Sequence, residues 1–160
     1  MRPLLLAAAL TALAACQTAA PPSDTDPRAG PGERAQVEAR LADLLAAAAA
    51  PGTDGAAFRP FVAFQDPDGS WRPPAPPETA TAEARLAEVR GALADALRDD
   101  GRFEYEVEEY VVEPADGVEW HVLRVAFGPG DTAAPGPSTT EAEFAFVPSD
   151  AGYLLLLLLQ

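Results

Sequence analysis

The chain has no lysine, a single cysteine (Cys16) and a single histidine (His121) in 160 residues. Without lysine there is no Schiff-base chemistry, no lysine nucleophile and no lysine-bearing phosphate loop. A lone cysteine closes no disulfide within the chain and cannot supply the thiolate set of a zinc site. No EF-hand spacing occurs, and the sequence implies no metal and no cofactor. Positive charge is scarce: all 11 basic residues are arginines, against 25 carboxylates, for a net charge of −14. That balance argues against nucleic acid and against adsorption to anionic headgroups. The first apolar run, Leu4 to Leu13, is too short to span a bilayer as a helix.

What is present starts with that run. Arg2 gives a positive n-region, Leu4–Leu13 an apolar h-region, and Leu13-Ala14-Ala15-Cys16 puts small residues directly before the cysteine. This stretch resembles the lipobox of bacterial lipoprotein precursors. The resemblance implies cleavage between Ala15 and Cys16 and a diacylglyceryl thioether on Cys16, often with a third acyl chain on the new amine. Gln17, where lipoproteins retained at the inner membrane typically carry Asp, implies outer-membrane sorting. The expected place is the bacterial cell envelope, lipid-anchored and facing the periplasm. Losing the leader removes Arg2 and makes the mature chain one unit more negative.

Residues 17 to 32 are polar and rich in Pro, Gly and Ala, so residues 16–32 read as lipidated cysteine plus disordered tether. At ~5–6 Å × √n, such a tether reaches roughly 20–25 Å. Residues 33–160 read as one domain with one core. Val37, Leu41, Leu44, Leu45 and Ala48 fall on one face of a helix over 33–50, ended by Pro51-Gly52. On its other side Arg34 pairs with Glu38, and Arg40 with Asp43. A strand is predicted at 58–65, a type I turn at Asp66-Pro67-Asp68-Gly69, and extended polyproline geometry through Pro77. Leu86, Val89, Leu93 and Leu97 stripe a second helix, capped by Thr79 or Thr81 and stopped by Gly101.

Four strands follow, near 102–113, 118–127, 141–147 and 153–159. In the first, alternation breaks at Glu108-Glu109, where one extra residue returns Phe103, Tyr105, Val107, Tyr110 and Val112 to a common face. A four-residue loop, Pro114–Gly117, pairs Glu113 with Val118 and sets Val107 opposite Leu123. Residues 128–140 read as a long mobile loop. Tyr153 and Leu154–Leu159 are apolar on both faces, which suits an interior strand. The expected sheet order is therefore 58–65, 153–159, 141–147, 118–127, 102–113, with the second face of the leucines needing cover. The fold class is α+β: two helices on one face of a curved antiparallel sheet of about five strands. By element order alone it looks like a cystatin-like roll, a likeness that carries no function.

Candidate contacts are Trp71, an aromatic in a loop-rich stretch, and Arg72, beside overlapping P-x-x-P spacings that resemble a proline-rich docking ligand. The plainer reading of 71–77 is a stiff connector. Glu104, Glu106 and Glu108 project from one strand face ~6.7 Å apart, too far for one calcium ion and open to a basic partner. His121 belongs near Tyr110 as a structural hydrogen-bonding pair. As a base it would need Ser70, Ser138 or Ser149, none of which sits in a nucleophile elbow. These absences point to a non-catalytic binding or assembly accessory of the envelope, held to the membrane through Cys16, with a basic or envelope protein as partner. A binder of small ligands or peptides in the cone between helix and sheet is the alternative. A carboxylate-based hydrolase comes third, since no pair of acids is singled out by spacing.

Overall fold

The computed structural model describes residues 31–94, 96–97, 103–115, 117–128 and 140–159. Cys16, residues 17–30 of the tether, Gly101 and residues 129–139 of the loop lie outside them; Pro31 and Gly32, expected in the tether, are instead the first two residues of a helix, where proline fits the first turn. The first helix, α1, spans Pro31–Ala49 and buries Val37, Leu41, Leu44, Leu45 and Ala48, the stripe its spacing requires. Arg34 pairs with Glu38 at 2.7 Å. Arg40 does not turn back along the helix for its hydrogen bonds. Its Nε donates to the Tyr153 carbonyl at 2.9 Å, it reaches the Pro60 carbonyl, and its guanidinium lies 4.2 Å over the Phe61 ring. Arg90 closes the other end of α1, donating to the carbonyls of Ala48 (3.0 Å) and Thr53 (2.8 Å), where a helix C-terminus leaves acceptors free.

The stretch 58–65 corrects the strand expected there. Asp54 caps a short turn of helix, α2 (Gly55–Phe58), by accepting from the Ala57 amide at 2.9 Å, and a 3₁₀ turn follows at Arg59–Phe61. Pro60 suits that turn, because its missing N–H and fixed φ fit the first position of a helix. Extended backbone begins only at Val62, which forms a single parallel bridge with Leu155, the Ala63 amide donating to the Leu155 carbonyl at 2.8 Å. Then β1 (Phe64–Gln65) and β2 (Trp71–Arg72) make a small hairpin. Its turn is closed by Gly69 N–H to the Asp66 carbonyl at 2.9 Å, with Gly69 at φ +88°, open to glycine at little cost.

A 3₁₀ turn at Pro76–Glu78 replaces the end of the expected polyproline stretch and leads into α3, Thr79–Leu93. Neither threonine caps it. The Glu78 carboxylate accepts from the Ala75 amide (2.6 Å), and the Thr79 hydroxyl donates to the Pro76 carbonyl (2.6 Å). Ala82, Leu86, Val89 and Leu93 are buried, and the regular helix ends six residues short of the expected end at about Asp99.

Four antiparallel strands form the main sheet in the order β3 (Glu104–Ala115), β4 (Val118–Gly128), β5 (Thr140–Ser149), β6 (Gly152–Leu159). The bulge falls between Val107 and Glu109, as expected. The register differs by two residues: Ala115 faces Val118, Val107 faces Val125, and Tyr105 faces Phe127. The turn is shorter than the predicted loop, with Gly117 at φ +82° and Pro114 drawn into the ladder opposite Glu119. Proline is tolerated there because β3 is an edge strand of this sheet. A shift of two preserves every side chain's face, so the core assignment survives the change.

Helices α1 and α3 cover one sheet face, over Leu123, Val125, Phe127, Phe144, Phe146 and Leu155, all buried with the helix stripes in one cluster. The expected sheet order is corrected here: β6 is an edge of the four-stranded sheet, and because 55–61 turns helical the expected fifth strand is reduced to the single parallel bridge at Val62. The second face is covered around the β5–β6 turn: Ala145, Val147 and Leu154 are fully buried, and β2 packs against β5. The 64–72 hairpin thus packs on β5 through β2, while the side chains of Leu157–Leu159 lie outside the described residues.

Candidate functional site

The second face of the sheet changes character from β6 to β3. A groove of about 260 Å³ opens on it across β3, β4 and β5. Its floor is Val111, Trp120 and Val122, and its walls are Glu109, Glu113, Arg124 and Glu143. Strand alternation puts them there. Tyr110, Val112, His121 and Leu123 turn into the core, so their neighbours turn out. Glu113 faces Trp120 and Val111 faces Val122 across the β3–β4 ladder, while Arg124 faces Glu143 across β4–β5.

Arg124 lies across the groove as a strap. It meets Glu109 at 2.9 Å on one side and Glu143 at 2.7 Å on the other, and hydrogen bonding to Glu143 first, then the Glu109 charge, raises its pKa. Both pairs are largely open to water, so they set orientation more than stability. The Trp120 ring lines the groove, while its Nε1 is buried with no acceptor among the described residues.

The residues singled out from the sequence divide between this face and the hairpin. Glu104, Glu106 and Glu108 are exposed on the same open face, extending the acidic wall along β3. Trp71 is half-buried in β2, and its Nε1 also lacks an acceptor among the described residues. Arg72 is engaged within the chain: Asp66 at 2.8 Å, Glu78 at 2.9 Å, and the Phe64 ring 4.8 Å beneath its guanidinium. That guanidinium, followed by the Ala75 amide, holds the Glu78 carboxyl below its usual range. The cluster locks the hairpin to the turn before α3, which is the connector role of 71–77. Cys16 and Ala15 lie outside the described residues, as does Ser138. Among the described residues no three His, Cys, Asp or Glu side chains converge as a metal site.

His121 is only 2% exposed, on the core side of the sheet. Its Nδ1 lies 2.8 Å from the Tyr110 hydroxyl, and the Tyr153 ring meets it edge-on at 4.8 Å. Burial lowers its pKa, while the Glu33 and Glu119 carboxylates pull the other way. Because the folded-state pKa is depressed, the unfolded chain takes up the proton first. Stability owed to neutral His121 is therefore complete above the ordinary value of about 6.5 and is lost as pH falls below it towards the folded pKa. His121→Gln is expected to cost about 1–2 kcal/mol at pH 7.5. The wild type's advantage should shrink by pH 5, measured by urea midpoints for both proteins. A constant advantage would sink this account.

Comparison with family models, with curated proteins and with solved structures finds no match for this chain. The groove was not visible in sequence. Trp120, Glu113 and Arg124 are unremarkable singly, and only the true register brings them together with Glu143.

Proposed function

We propose that this is a lipid-tethered protein of the bacterial envelope, acting by recognition as a binding or assembly accessory at the periplasmic face of the outer membrane. The leader ending at Leu13-Ala14-Ala15-Cys16 supports the tether and compartment. One observation carries the recognition role: an apolar-floored groove with acidic walls stands open on one sheet face, while the other face is closed on two helices. The space between helices and sheet is filled by Phe58, Phe127, Phe144 and Phe146, which favours the accessory over a ligand held in that cone. His121 is buried against two tyrosines, away from the groove, which favours recognition over histidine-dependent chemistry.

The test is site-specific photo-crosslinking in the native host. A photoreactive residue replacing Val122, in the groove, is expected to give a discrete adduct with one envelope component. The same residue replacing Ala84, exposed on α3, should give none. Equal labelling from both positions, or none from either, defeats the recognition reading.

A further inference from the structure

We infer that the open face of β3–β4–β5 takes a cationic segment of a partner protein, an arginine- or lysine-bearing peptide that seats an apolar side chain in the groove. This rests on the recognition reading above and specifies its partner.

The first argument is charge. Glu106 and Glu108 on β3 and Glu113 beside Trp120 carry no ion-pair partner among the described residues. Glu109 and Glu143 share one guanidinium, that of Arg124. A face with several carboxylates and a single base attracts cations and repels acidic proteins, nucleic acid and anionic lipid.

The second argument identifies the occupant by elimination. Past the leader, the chain outside the described residues offers no net positive segment. Arg28 is offset by Asp24 and Asp26, Arg98 and Arg102 by Asp99 and Asp100, and 129–139 holds Asp131 and no base. A second copy presenting this face would set carboxylates against carboxylates. Of the described arginines, Arg34, Arg40, Arg72, Arg85, Arg90 and Arg124 are already engaged within the chain, so the face is matched to a cation from another protein.

The third argument is size and chemistry. A groove of about 260 Å³ lies below the roughly 300–1,000 Å³ of small-molecule sites, and fits one or two side chains. Val111 and Val122 offer apolar contact, and the Trp120 ring offers a face to an aliphatic or cationic side chain. Arg124 competes for the same walls, so an incoming cation displaces it from Glu109 or Glu143.

The experiment is fluorescence anisotropy with the purified full chain in neutral detergent. The probes are a labelled nonapeptide alternating arginine and leucine and its glutamate–leucine counterpart. The arginine probe should bind, the glutamate probe should not, and binding should weaken about tenfold or more between low salt and 0.5 M. Glu108→Gln and Glu113→Gln should each raise Kd about two- to fivefold. Asp43→Asn, on the helical side, should leave it unchanged. Arg124→Gln frees two carboxylates and should tighten binding about two- to fivefold, which general attraction to an acidic protein does not explain beyond one unit of charge. Trp120→Leu should weaken it about three- to tenfold, and the charge variants carry the test if that variant fails to fold. Equal binding of both probes, or Asp43→Asn weakening it as much as Glu113→Gln, overturns the inference. If the Val122 crosslink forms while the arginine probe fails to bind, recognition stands and the cationic partner falls. If neither occurs, both fall.

Discussion

Phe144→Ala is expected to destabilise the domain by about 3–5 kcal/mol, read as a drop in urea midpoint at unchanged m-value. Phe144 is fully buried on β5, an interior strand, opposite Leu123 on β4. Its ring meets Phe127 near-perpendicularly at 6.3 Å, inside the cluster that joins the sheet to both helix stripes. Truncation removes ring contacts and leaves a cavity walled by two layers that are not free to collapse. A domain stable by about 5–15 kcal/mol loses much of its margin. The adjacent Glu143→Gln supplies the contrast. Its side chain is on the open face, paired with exposed Arg124, and should change stability by no more than about 0.5 kcal/mol. A cost below about 1 kcal/mol for Phe144→Ala would mean that the helices do not pack on this face as described.

That contrast between neighbours also marks how far the sequence could be read. Wherever one local pattern settles a side chain's direction, the reading held. The α1 stripe, the α3 stripe through Leu93 and the bulge at Glu108 are periodicity against polarity, and each needs only its own segment. The errors arose where two local signals competed. Phe58–Gln65 is dense in apolar residues with strand preference, but Asp54 ahead of Gly55-Ala56-Ala57 is a helix cap, and Pro60 fits the turn that follows. By residue type Pro114 starts a loop. It is instead a ladder residue at an edge, which lengthened the hairpin and moved its register by two.

The groove was hidden for a different reason, since it is made by pairing rather than by pattern. In the four-residue-loop register Trp120 would face Val111, whereas the two-residue turn sets it against Glu113. Arg124 and Glu143 meet across the long connection between β4 and β5, where no turn chemistry fixes the alignment. Trp71 and Arg72 stood out because aromatics and prolines are conspicuous in a loop. Three contacts, Asp66, Glu78 and Phe64, then give Arg72 its place inside the fold.

Cys16→Ser is expected to remove the protein from the membrane completely while leaving the domain folded. The first helix begins at Pro31 and the core at Val37, so the proposed anchor at Cys16 is separable from the fold. Each acyl methylene buried is worth about 0.8 kcal/mol; one chain alone holds only marginally, and two or three hold effectively for good. The serine variant lacks the thiol on which the proposed thioether would form, so it should accumulate as uncut precursor or as a soluble product. Membrane fractionation reads the loss of anchorage, and a thermal melt of the solubilised domain should match the wild type. Intact mass of the wild-type protein should correspond to a chain beginning at Cys16 plus acyl groups. In a host with two membranes, Gln17→Asp should shift the anchored protein to the inner one without changing that mass class. A mature wild-type chain that starts elsewhere and carries no lipid would remove the tether, and with it the envelope setting on which the proposed role depends.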